Sequence, residues 1–129
     1  MVAVVDDSAD VDSLEALVGD WATVPDIAER WGVSLARVRQ HLADRELLSW
    51  RTGERRVISV PVKFLDESGP RHELKGTFTV LADGGMNDEE ILRWLFTPDD
   101  TLPVEGAPID ALIAGHKTEV RRRAQVTAF

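Results

Sequence analysis

The chain has 129 residues, with four Trp, four Phe and no Tyr or Cys, and it is 43% hydrophobic and 29% charged. This is the composition of one compact domain, or of two small ones sharing a core; it excludes large architectures, and without cysteine it excludes disulfide frameworks, Cys-ligated zinc, iron–sulfur clusters and thiol nucleophiles. The net charge of −8 argues against a nucleic-acid partner only if charge is spread evenly, because screening makes the local field decide.

Residues 1–13 are acidic, with Asp6, Asp7, Asp10 and Asp12 and no apolar period, and read as a flexible arm. No basic n-region precedes the short apolar stretch at the N-terminus, and no run approaches the ~18–20 apolar residues of a membrane span. A cytoplasmic (nucleoid) location with no membrane partner is expected. Leu14, Leu17, Val18 and Trp21 recur at i, i+3, i+4 and i+7, which predicts a first helix.

Thr23 is suited to cap a second helix, with Pro25 in its first turn and Asp26 three residues after the cap. Ile27, Ala28 and Trp31 supply the inner face, and Gly32 ends the helix. Ser34 caps a third, Leu35 to about Asp44, with Val38 and Leu42 inward and Arg37, Arg39, Gln40 and His41 wholly or partly outside that stripe. His41 reads as a solvated helix residue. Two short helices around a Gly-Val-Ser turn form a helix-turn-helix pattern.

Leu47 to Arg51 and Arg55 to Val60 flank Thr52-Gly53-Glu54. They predict a β-hairpin, closed by Pro61. A hairpin directly after a helix-turn-helix is a wing.

Residues 66–76 read as a loop; Thr77 to Leu81 is a short apolar run that suits helix or strand, and Asp83-Gly84-Gly85, which resembles a helix stop, favours helix. Asn87 caps a helix with Ile91, Leu92, Leu95 and Phe96 inward, ended by Pro98. After a loop from Asp99 to Ala107, Pro108 opens a helix to about Ala114. Gly115 breaks it before a last helix through Val120 and Ala124. The expected fold is mainly α with a small β-hairpin wing. It comprises an arm (1–13), a winged helix-turn-helix (14–65) and a helical subdomain packed on it (66–129).

Catalytic chemistry is thin. His41, His72 and His116 stand apart, Asp99-Asp100 fits turn chemistry, and no phosphate-cradling glycine loop or nucleophile elbow occurs. The chain is not expected to be an enzyme, and no cofactor or metal is implied. The basic module says more. Residues 23–63 carry eight bases (Arg30, Arg37, Arg39, Arg45, Arg51, Arg55, Arg56, Lys63) and five acids (Asp26, Glu29, Asp44, Glu46, Glu54), a local +3 in an anionic protein. The second helix of a helix-turn-helix enters the major groove with its N-terminal residues leading. Ser34, Arg37, Arg39 and Gln40 are therefore the expected contacts there, since Arg reads guanine, Gln reads adenine and a capped N-terminus holds phosphate. Arg51, Arg55 and Arg56 on the wing would meet backbone or minor groove. The expected partner is double-stranded DNA.

Asp26 to Ser34, followed by Val38-Arg39, resembles the winged helix-turn-helix of the MerR/excisionase-like class. Together with Leu81 to Gly85, Glu90 to Asp99, Pro108 to Leu112 and Val120 to Gln125, it is similar to a small actinobacterial family of winged helix-turn-helix DNA-binding proteins. The mycobacterial member of that family is a Ser/Thr protein kinase substrate. The resemblance implies a DNA-binding regulator controlled by phosphorylation, with a kinase as second partner. In that family the acceptor is an arm threonine; here the arm offers Ser8 and Ser13 and no threonine before Thr23. The stretch from Asn87 to Leu112 is also similar to the toxin-binding domain of Xre/ParS-type antitoxins. That resemblance implies an alternative function, a protein-interaction module (antitoxin-like or a kinase-linked adaptor) using residues 86–115. Helix-turn-helix proteins often dimerise to read two half-sites, so a homodimer is a further expectation, although no heptad zipper is present.

Overall fold

The computed structural model describes residues 14–127. Residues 14–18 are helical (α1). The order continues β1 (Trp21–Thr23), α2 (Val24–Trp31), α3 (Leu35–Ala43), β2 (Trp50–Thr52), β3 (Val57–Pro61), a 3-10 turn (Val62–Phe64), α4 (Leu74–Asp83), α5 (Asp88–Phe96), α6 (Pro108–Ile113) and α7 (Lys117–Thr127). The fold is mainly helical with a small sheet.

The first departure from the sequence pattern is at Trp21. Gly19 takes φ +84°, which breaks α1, and Trp21 begins a strand instead of a fourth helical position. Its indole N–H donates to the Glu15 carbonyl at 3.0 Å, so the ring stays near α1 although the backbone has turned. The sheet therefore has three antiparallel strands in the order β1-β3-β2. Trp21 pairs with Pro61 and Thr23 with Ser59 on one side of β3, while Trp50 pairs with Ser59 and Thr52 with Val57 on the other. β2 stops pairing at Ser59, so on that side Pro61 leaves no neighbour without a donor.

The helix-turn-helix forms by the capping chemistry its sequence carries. Thr23 and Asp26 make a reciprocal capping box, and Gly32 ends α2 in the left-handed region at φ 68°. The Ser34 hydroxyl accepts from the Arg37 amide and starts α3. The wing is shorter in its strands than the residue pattern predicts. Leu47 and Leu48 are buried in the core ahead of β2, and Arg55 and Arg56 belong to the turn between the strands rather than to β3.

α4 starts three residues earlier than expected, at Leu74, and includes Gly76. That glycine is tolerated because Arg121 of α7 lies across it: a Cβ at Gly76 would meet the guanidinium carbon at 2.8 Å. The Arg121 guanidinium donates to the Glu73 carbonyl at 3.0 Å and the Thr77 hydroxyl at 3.3 Å, joining α7 to α4. Asn87 and Glu90 cap α5 reciprocally.

The core is one cluster running from Leu14, Ile27 and Val38 to Leu95, Ile109 and Ala124. Phe64, fully buried after β3, is its joint: its ring lies 5.4 Å from Phe78 of α4 and 5.7 Å from Phe96 of α5. Two ion pairs clip the same seam. Arg45 meets Asp88 at 3.1 and 3.0 Å, and Lys63 meets Asp110 at 2.6 Å.

Candidate nucleic-acid interface

Val38 fixes the orientation of α3, being fully buried. At about 100° per residue, Ala36, Gln40 and Ala43 then lie at the middle of the outer face, with Arg37 and Arg39 on its two flanks. All five are exposed. The middle of the face is thus small or flexible, which lets the helix axis approach a groove closely, and the flanks carry the charge.

Neither Arg37 nor Arg39 has a carboxylate partner among the described residues. Ser34 is committed as an acceptor to the Arg37 amide at 3.1 Å, but its hydroxyl proton remains free to donate to a phosphate. Gln40 donates to Asp44 one turn on, at 3.0 Å; reading adenine with both ends of the amide requires that bond to yield. His41 is not a solvated residue, as its position suggested. It is half-buried, its ring meets Trp31 edge-on at 5.7 Å, and its Nδ1 lies 2.7 Å from Glu46. It joins α2 to α3 and braces α3 from behind.

On the wing, Arg51, Arg55 and Arg56 are all exposed. The Arg51 guanidinium donates to the Arg56 backbone carbonyl at 3.2 Å, which holds that one cation against the turn. Arg56 has φ 54°, a left-handed conformation that costs a side-chain-bearing residue about 1–2 kcal/mol. Glycine is the usual occupant, and an arginine held there puts a cation at the tip in spite of the strain. α1 supports the same turn: the Gly53 amide donates to the Glu15 carboxylate at 3.2 Å. The α3 cluster and the wing cluster are two separate groups; among the described residues no hydrogen bond or ion pair joins them.

Of the eight bases between residues 23 and 63, Arg45 and Lys63 are consumed by Asp88 and Asp110. The other six (Arg30, Arg37, Arg39, Arg51, Arg55 and Arg56) meet no carboxylate among the described residues. Arg30, exposed on α2, was counted in the basic module but not named among the expected contacts. In the other half, Arg93 pairs with Glu89, Arg122 with Glu119, and Arg123 with both Glu119 and Asp99, while Arg71 and Arg121 donate to backbone carbonyls and Lys75 and Lys117 meet no carboxylate among the described residues. Hydrogen bonds from Arg122 and Arg123 hold the Glu119 carboxyl below its ordinary range. Thr101, through hydroxyl and amide, does the same for Asp99, with Arg123 adding to it.

A groove of about 1190 Å³ lies between α5 and α7, lined by Met86, Trp94, Pro98 and Val126 among others. Its arginines are those already bound to Glu89, Glu119 and Asp99, so it offers a phosphate little free charge. Among the described residues no group of three or more His, Cys, Asp or Glu is placed to hold a metal ion, and no helix is long and apolar enough to cross a membrane.

Residues 8–65 match the family model described as the winged helix-turn-helix domain of the DNA-binding protein Rv2175c, and residues 72–128 match the Rv2175c C-terminal domain of unknown function. The DNA-binding protein Rv2175c of Mycobacterium tuberculosis is 39% identical over 117 residues, an alignment covering 82% of this chain and 79% of the relative. The NMR structure of Rv2175c superposes with a TM-score of 0.76 at 35% identity, covering 85% of this chain and 82% of that one. The chain belongs to the Rv2175c family of winged helix-turn-helix proteins.

Proposed function

We propose that this chain binds double-stranded DNA as a transcriptional or nucleoid-associated regulator. In this reading α3 lies in the major groove, with Ser34, Arg37, Arg39 and Gln40 against phosphate and base edges. The wing lies on the backbone through Arg51, Arg55 and Arg56. One observation carries it: six exposed arginines are gathered on the helix-turn-helix and wing with no carboxylate partner among the described residues. Kinship to a protein named as DNA-binding supports the same conclusion. The test is retardation of a labelled duplex at about 50 mM salt; a chain that retards none at micromolar concentration refutes the reading. Sizing of the complex decides between one copy per site and a homodimer on two half-sites.

The acidic residues before Leu14 belong to the same proposal. They lie outside the described residues, but they lead into α1, whose Glu15 touches the wing turn. In this proposal the negative charge of Asp6, Asp7, Asp10 and Asp12 competes with phosphate for the basic face. Phosphorylation of Ser8 or Ser13 by a Ser/Thr kinase would add about −1.5 to −2 charges to the competitor. Deleting residues 1–13 should tighten binding at low salt; unchanged affinity removes the arm from the account.

A further inference from the structure

Leu35 is the first residue of α3, and the residue is 41% exposed. It sits at the end of the helix that leads into the groove in the reading above, on which this inference rests. Side chains on a helix lean toward its N-terminus, so Leu35 projects over the capping turn, ahead of the rest of the helix. It is one turn from Arg39, on the Arg39 side of the buried Val38 stripe. Ala36 follows it, exposed and too small to keep a neighbour away. The leading tip of the recognition helix is therefore an apolar patch between Ser34 and two unpaired arginines.

A leucine offers no hydrogen bond, so it rewards no donor or acceptor on a base edge. Among the four base pairs the major groove displays one apolar group, the 5-methyl of thymine. We propose that Leu35, with Ala36 beside it, is a specificity-determining contact that reads a thymine methyl. Arg39 next to it would anchor an adjacent guanine, which places the favoured thymine within a step or two of a guanine in the bound site.

The experiment uses the full chain and a duplex selected by it from a random pool. Each thymine is replaced in turn by deoxyuridine, which removes the methyl and leaves the pairing edge intact. At one position the native chain should lose about fourfold in affinity, the value of one buried methyl group. Leu35→Ala should bind the thymine and the deoxyuridine duplexes equally. It should also match the native chain on the deoxyuridine duplex, which verifies that the variant is folded. If no thymine replacement changes affinity while the duplex is still bound, or if the selected site has no thymine in the groove, the proposal is overturned and DNA binding stands. If the loss persists in Leu35→Ala, the methyl is read by another residue and the assignment is overturned. Failure of the native chain to bind any duplex refutes the underlying reading and this inference together.

Discussion

Replacing Arg55 and Arg56 with glutamine tests whether the patch acts as a local field within an anionic molecule. Each lysine or arginine that neutralises a DNA phosphate contributes about −0.9 to the slope of log K against log salt. If all six unpaired arginines meet phosphate, the native slope is about −5.4. Arg55→Gln should reduce its magnitude by about 0.9, and Arg55→Gln with Arg56→Gln by about 1.8. The structure supplies the control. Arg122 is exposed but donates twice to Glu119, at 2.7 and 2.9 Å; Arg122→Gln removes the same formal charge from a committed group and should leave the slope unchanged. The assay is a fluorescence-anisotropy titration at four or five salt concentrations between 50 and 300 mM. Equal changes from Arg55→Gln and Arg122→Gln would mean that only total charge matters. An unchanged slope in the double variant would mean that the wing does not touch the backbone.

Two further predictions concern the other half. Gly76→Ala gains up to about 1 kcal/mol of helix propensity but displaces the Arg121 guanidinium and weakens its two hydrogen bonds, each worth about 1 kcal/mol. The native chain should be slightly destabilised by it, whereas the Arg121→Ala chain should be stabilised; additive effects in denaturant melts would disprove the contact. Asp99 and Glu119 both have folded pKa values below their ordinary ones. Their contribution is therefore present above the unfolded carboxylate pKa and is lost as pH falls through the depressed folded value. Stability should fall from pH 5 downward, and less steeply in Glu119→Gln; parallel urea-midpoint curves for the two proteins would contradict the assignment.

The helix-turn-helix was legible because its boundaries are local chemistry. Thr23, Asp26, Gly32 and Ser34 act on amides within four residues of themselves, and each does what its type and spacing require. The third strand was not legible. Leu14, Leu17, Val18 and Trp21 keep helical spacing, and only the left-handed turn at Gly19 and pairing with Pro61, forty residues on, make Trp21 extended. The start of α4 was hidden for a similar reason: Gly76 argues against a helix until Arg121 is seen lying on it. At the interface, the residue types were readable, but which cations stay free was not. Arg45 and Lys63 look like members of the basic module, and partners 43 and 47 positions away remove them. Arg45 itself takes φ 60° as the left-handed residue that ends α3, with its amide donating to the Leu42 carbonyl and that of Glu46 to His41.

Phe64 closes the β-sheet segment yet stacks on rings from α4 and α5. Severing the chain near residue 66 would strip that ring of both neighbours and leave a sticky apolar scar beneath the wing. The two family segments should therefore melt together, and a swap of either between relatives should need matching aromatic surfaces.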